Sequence, residues 1–236
     1  MARRLPLLML LPVISYLFTG CNEKPMESYY FPLEELREGL VYEYKSAGDP
    51  RDPPFYWLFR TEEKDGATFL TGTYYDLYFN PFQFVREERV SNGMLLTEYY
   101  LYENDTTGRQ VQIPAELEGG NVFSFGPPNP GTVLFSKVRF PSVVNPTTVT
   151  SLIKNRQYLR DTTYVFRDST YEAALFYVRE LIDVEDEGHV EQEFDGTEIY
   201  AKGLGLVYFK KNITAGFVTE YRLEDRYPME DFEGKR

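Results

Sequence analysis

Hydrophobic and polar positions alternate with a period of two along most of the chain. In Leu40-Val41-Tyr42-Glu43-Tyr44-Lys45, Leu40, Tyr42 and Tyr44 share one face and Val41, Glu43 and Lys45 the other, which is the spacing of a half-buried strand. Residues 55–60 are apolar on both faces for most of their length. Runs at 68–79, 82–90 and 94–102 are rich in Tyr, Phe, Thr and Val, and Lys64-Asp65-Gly66, Asn80-Pro81 and Ser91-Asn92-Gly93 punctuate them. Asn-Gly between two alternating runs is a strong hairpin signal, so 82–90 and 94–102 are expected to pair. Strand patterns recur at 109–113, 122–125, 133–140, 158–166, 171–184, 190–194, 204–210 and 217–223. Many short strands at regular spacing predict an all-β sandwich or barrel.

Helical signals are few. Residues 31–39 carry Pro32 near the start and Gly39 at the stop, and 114–119 repeat the arrangement with Pro114 and Gly119, so each is expected to form a short helical turn. Residues 145–160 fit a strand or a short helix. Residues 119–131, centred on Gly126-Pro127-Pro128-Asn129-Pro130-Gly131, read as a rigid loop and as the place where the β domain would divide into two halves. Gly39-Leu40-Val41-Tyr42 is echoed by Gly205-Leu206-Val207-Tyr208, a match that a Val- and Tyr-rich β chain also produces by chance.

The first residues follow another pattern. Arg3 and Arg4 precede an apolar stretch from Leu5 to Phe18, interrupted by Pro6 and Pro12, and Cys21 is the chain's single cysteine. The stretch has the length of a secretory signal and is short for a membrane span. Leu17-Phe18-Thr19-Gly20-Cys21 resembles the lipobox of bacterial lipoproteins, with Phe18 where an aliphatic residue is usual. The resemblance implies cleavage after residue 20 and lipidation of Cys21, with more than one acyl chain, since one alone holds a protein only marginally at roughly 0.8 kcal/mol per buried methylene. The expected organisation is a signal peptide (1–20), a tethered linker (21–28), one β domain (29–230) and a tail (231–236). The implied location is the cell envelope, as an outer-membrane lipoprotein of a Gram-negative bacterium.

Charge and composition narrow the partners. The formal net charge of −12 becomes −14 once Arg3 and Arg4 are removed, so phosphate backbones repel the chain and nucleic acid is not an expected partner. With Cys21 lipidated, no disulfide staples the domain. Its stability must come from a core that 20 Tyr, 18 Phe and 1 Trp can build.

Near the C-terminus, Tyr200-Ala201-Lys202-Gly203-Leu204-Gly205-Leu206-Val207 leads to a hairpin at 211–216 and a strand at 217–223. This segment resembles periplasmic and lipoprotein families of largely unknown function, similar in style to the lipoprotein-carrier fold of the Lol system. The resemblance implies a curved, unclosed antiparallel β-barrel. Gly203 and Gly205 are expected where the sheet bends or another group approaches closely.

Catalytic chemistry finds little to use. His189 is the only histidine, and neither a nucleophile elbow nor a P-loop is present. No metal or cofactor is expected. Asp183-Val184-Glu185-Asp186-Glu187-Gly188 superficially follows a calcium loop, but Phe194 stands where the closing ligand belongs, so a charged hairpin turn is the better reading. Asp105-Thr106-Thr107, Asp161-Thr162-Thr163 and Asp168-Ser169-Thr170 resemble the O-glycosylation sequon of Bacteroidetes, with Thr106, Thr162 and Ser169 as acceptors. The same residues suit turns whose side chains bond nearby backbone, and that reading is favoured. The expected function is a non-catalytic binding or scaffold lipoprotein, for an apolar ligand or an envelope protein. The alternative is an envelope glycan-processing enzyme using a carboxylate pair.

Overall fold

The computed structural model describes residues 25–214 and 216–233; the expected signal peptide, the lipobox-like segment and Cys21 lie outside them. Thirteen strands follow two 3-10 turns, Met26–Tyr29 and Glu35–Glu38. They are β1 (Leu40–Ser46), β2 (Phe55–Lys64), β3 (Ala67–Tyr75), β4 (Pro81–Val90), β5 (Gly93–Asn104), β6 (Gln110–Pro114), β7 (Glu116–Ser124), β8 (Val133–Pro141), β9 (Val149–Phe166), β10 (Ser169–Glu185), β11 (His189–Ala201), β12 (Gly205–Thr214) and β13 (Phe217–Pro228). A short helix, α1 (Met229–Glu233), ends the described chain.

All pairings are antiparallel, and the sheet closes on itself. β1 pairs with β13, so the two ends of the domain join, and β5 pairs with β4 on one edge and with β6 and β7 on the other. Twelve strands thus form a ring, with β6 continuing the edge ahead of β7. The expected opening of the barrel is therefore corrected: the barrel is closed. Closure depends on a tight seam. A Cβ on Gly93 would lie 2.2 Å from the Phe123 carbonyl oxygen, so only glycine lets β5 and β7 approach this closely. That contact joins residues 30 apart and leaves no mark on either strand's own alternation.

The 4–5 hairpin forms as expected, turning at Ser91-Asn92. Residues 31–39 yield the Glu35–Glu38 turn, stopped at Gly39 with φ 84°. Residues 114–119 do not turn helically. Pairing of Glu116 and Leu117 with Arg139 and Val138 draws them into β7, and the Ala115 amide bridges to the Tyr99 carbonyl. Residues 149–160 are strand, paired on both edges by β8 and β10. The two echoed segments open β1 and β12, which flank β13 and begin after or at a left-handed glycine, Gly39 (φ 84°) and Gly205 (φ 83°).

A ring this wide needs more than its own inward side chains, since about eight strands is the size that wall residues alone can fill. Residues 26–31 supply the rest. Met26, Tyr29, Tyr30 and Phe31 enter one end of the lumen and join the main core with Tyr42, Phe59, Phe123, Phe176 and Tyr200. We call this the plugged end. Outside the ring, Phe232 of α1 packs on Val41, Tyr56 and Tyr227. The outward faces carry mid-strand ion pairs such as Arg179–Glu193 and Arg86 with Glu62 and Glu98. Such a surface faces water, unlike the apolar outer belt of a barrel set in lipid. No helix among the described residues is long and apolar enough to cross a membrane.

Candidate functional site

The lumen changes character along its axis. Beneath the plug, six charged side chains point inward from five strands: Glu87 on β4, Lys154 and Arg156 on β9, Glu180 on β10, Glu198 on β11 and Lys211 on β12. Glu198 accepts from Lys154 Nζ at 2.5 Å and from Arg156 Nε at 2.7 Å. Glu180 forms ion pairs with Lys154 at 3.3 Å and with Lys211. Arg156 also donates to the Val122 carbonyl and lies 5.2 Å from the Tyr200 ring centroid. Glu87 accepts from the Tyr30 hydroxyl of the plug.

Each ionisation follows from these contacts. Burial would raise the Glu198 carboxyl, but Arg156 and Lys154 outweigh it and bring it down to about 2. Burial likewise opposes ionisation of Glu180, and Lys154 and Lys211 overcome it, so its pKa is lowered. Lys154 is raised because Glu198 and Glu180 outweigh its desolvation. Glu87 differs: burial wins over the Tyr30 hydrogen bond and the more distant Arg156, and its pKa rises. Burial, reinforced by Glu87, pushes Tyr30 well above the phenol range.

Beyond this charged layer, away from the plug, lies a cavity of about 370 Å³ bordered by Trp57, Gln83, Leu96, Tyr99, Val138 and Leu152, with Lys154, Glu180 and Lys211 at its roof. Its walls come from opposite sides of the ring, β2, β4 and β5 facing β8, β9 and β10, so the space is the lumen itself. Strand register places these residues in the halves of the strands remote from the plug, except Leu96, which lies opposite Glu87 at the level of the charged layer. The same end carries exposed apolar side chains on separate connections and strand ends: Tyr78, Phe82, Val144, Val190 and Phe217. A larger space, about 700 Å³, lies at the plugged end, where Glu27, Tyr30, Arg89, Phe125 and Lys202 line it. It is an open groove against solvated charges.

The sequence-derived candidates lie elsewhere. Thr106 is exposed in the β5–β6 turn, where Asp105 Oδ1 accepts from the Thr107 and Arg109 amides. Thr162 is half-buried within β9, and Ser169 is exposed at the first position of β10. Gly203 (φ 74°) sits in the β11–β12 turn, and Gly205 opens β12 beneath the Phe31 ring, where a Cβ would lie 2.4 Å from Phe31 Cδ1. The bulge in this pair falls at Ile199/Tyr200. His189 is exposed across the β10–β11 hairpin from Asp183, Nδ1 to Oδ1 3.0 Å, and this hydrogen bond raises the imidazole pKa. Among the described residues, no cluster of three or more His, Cys, Asp and Glu could hold a metal.

Reading by type and spacing passes over the six lumen charges. They do carry a signal: Leu152-x-Lys154-x-Arg156-x-Tyr158, Val178-x-Glu180-x-Ile182 and Gly196-x-Glu198-x-Tyr200 each place a charge on the apolar phase of a strand.

No family model matches this chain, and no curated protein does. Solved structures resemble it. One is a candidate lipoprotein of Parabacteroides distasonis, 13% identical, covering 84% of this chain and 98% of its own, with a TM-score of 0.49. Another is a candidate exported protein of Bacteroides fragilis with a YmcC-like fold, 12% identical over 84% of this chain and 98% of its own, with a TM-score of 0.52. The second likeness is one of fold.

Proposed function

We propose that the protein is a non-catalytic binding lipoprotein of the cell envelope that holds an apolar ligand in its barrel. One observation carries this reading: the walls of a closed ring surround a cavity of about 370 Å³ faced largely by Trp, Leu, Tyr and Val side chains, within the size range of small-molecule sites. Cys21 provides the tether. The described chain starts at the plugged end, so a bilayer anchor would hold that end towards the membrane and turn the cavity end outward. The fold shared with a Bacteroides fragilis protein described as exported supports a place outside the cytoplasm.

The glycan-processing alternative receives less support. A retaining or inverting mechanism needs one carboxyl protonated and another free to act on substrate. Glu180 and Glu198 are each held ionised between two cations, and Glu87 is engaged by the plug.

Two experiments test the reading. Dodecanol, a neutral apolar probe, is expected to bind saturably and to shift the emission of Trp57, the chain's single tryptophan, which stands in the cavity wall. Absence of binding by both fluorescence and calorimetry would overturn the apolar-ligand reading. Cys21→Ala is expected to abolish palmitate labelling and release the protein from membranes; unchanged labelling would overturn the anchor.

A further inference from the structure

The roof of the cavity is not electrically neutral. Lys154 and Lys211 lie within the ring, yet 33% of each side chain remains accessible, against 21% for Glu180. Glu198 and Arg156 are sealed away at 7% each. The cavity therefore meets two ammonium groups and one carboxylate. Across the wider network the three cations Lys154, Arg156 and Lys211 face the three carboxylates Glu87, Glu180 and Glu198, with Glu87 turned to the Tyr30 hydroxyl on the plug side, so the excess of positive charge is local to the roof.

At the cavity surface two partly accessible ammonium groups share one accessible carboxylate, a local excess that an anion would offset. Gln83 and Tyr99 on the facing wall and Ser136 on β8 beside Lys154 add neutral hydrogen-bonding groups near the same roof. Below it, Trp57, Leu96, Val138 and Leu152 offer no charge. Charge at one pole and hydrocarbon along the walls is the complement of an amphiphile. A cationic head would meet two lysines, and a neutral one would leave the local excess at the roof as it is.

We propose that the cavity takes an amphiphile with a single anionic head, of the fatty-carboxylate class, its head between Lys154 and Lys211 and its chain along Trp57, Leu96 and Leu152. This rests on the reading of the cavity as a ligand site and adds the charge of the ligand to it.

The test compares three twelve-carbon probes on the full, unaltered chain, by Trp57 emission and by calorimetry: laurate, dodecanol and dodecyltrimethylammonium. Laurate is expected to bind about tenfold more tightly than dodecanol, the gain of one charge-assisted hydrogen-bonded pair, and the cationic probe least. Lys211→Met is expected to remove laurate's advantage, and Lys211→Arg to keep it. Equal binding of all three probes, or an advantage that survives Lys211→Met, would overturn the head-group assignment while leaving an apolar site. Binding of none would overturn that site as well. Should Lys211→Met fail to fold, the ranking of the probes on the unaltered chain decides the matter alone.

Discussion

The two halves of the lumen are built from the same alternating strands and end up filled in opposite ways. In the plugged half, rings interlock: Phe31 lies 4.2 Å from Phe59 and 5.6 Å from Tyr42, and Phe123 lies 5.1 Å from both Tyr30 and Tyr200, centroid to centroid. Ala173, Ala174 and Ala201 beside them are wholly inaccessible. In the far half, Trp57, Leu96, Tyr99 and Leu152 also belong to the wall, yet each keeps accessible surface where it borders the cavity, while Tyr99 and Leu152 also pack against Leu101, Ile113 and Phe140. What separates the halves is a six-residue segment that is no part of the sheet. A twelve-strand ring leaves a gap that strands cannot close. Residues 26–31 close it at one end, and the other end keeps room for something else.

The largest effect expected from this contrast is in packing. Phe31→Ala should cost about 3–5 kcal/mol, the range for a large aromatic removed from a dense core. Leu152→Ala, whose side chain already borders empty space, should cost no more than about 2 kcal/mol, the low end for its type. Urea denaturation of both variants measures the difference, and equal losses would mean that the far half is as tightly packed as the plugged one.

The charged layer between the halves should make stability depend on acid. Glu198 is held near 2 in the folded protein against an ordinary value of 4.5. A depressed carboxylate contributes stability above its unfolded pKa and loses it as pH falls towards the folded value. Melting should therefore deteriorate between about pH 4.5 and 2, by on the order of 3 kcal/mol for this group. Glu180 acts in the same direction. Glu87, with its raised pKa, acts in the opposite one: its contribution is present in acid and lost as pH rises through the folded value. Glu198→Gln should flatten the acid limb of the stability curve; an unaltered limb would place the acid sensitivity elsewhere.

Much of the sheet could be read from the chain because strand alternation is local. The runs at 40–45, 82–90, 133–140 and 171–184 carry their own periodicity, and Asn92-Gly93 announces its hairpin. Closure could not be read in this way. It depends on β5 meeting β7 at Gly93 and Phe123, and on β13 returning to β1 across nearly the whole domain. Residues 114–119 misled for a related reason, since Pro and Gly at helix-like positions yielded to pairing with β8. The charged layer was present in the alternation, as Lys154, Glu180 and Glu198 on apolar phases. That they meet one another follows from register, which sets Glu180 directly opposite Lys154 across the β9–β10 hairpin with Glu198 on the next strand, and no single strand's alternation states that register.

The plug's fit can be sharpened at one atom. Gly205 has φ 83°, a conformation that other residues rarely adopt, and it leaves the space that Phe31 occupies. Gly205→Ala adds backbone strain and a contact that neither the ring nor the strand can yield cheaply. A loss of about 1–3 kcal/mol is expected. Combined with Phe31→Ala, the penalty should shrink to the backbone part, since the clash is gone. A double-mutant cycle that proved strictly additive would show that Phe31 does not rest on Gly205.

The smallest effect is expected where the contrast is sharpest. Enlarging a side chain in the plugged half should strain it, so Ala201→Leu is expected to cost about 1–3 kcal/mol, as overpacking does. Leu152→Phe adds bulk beside the cavity, where a ring can extend into existing space, and its change in stability should stay below about 1 kcal/mol in either sign. The same substitution takes up room along the wall assigned to the ligand's chain, so affinity for both laurate and dodecanol should fall while the melting curve barely moves. Stability and binding would then separate at a single position. A Leu152→Phe variant that loses several kcal/mol would instead show that the far half has no room to spare, and the division of the lumen into a packed end and a receptive one would fail.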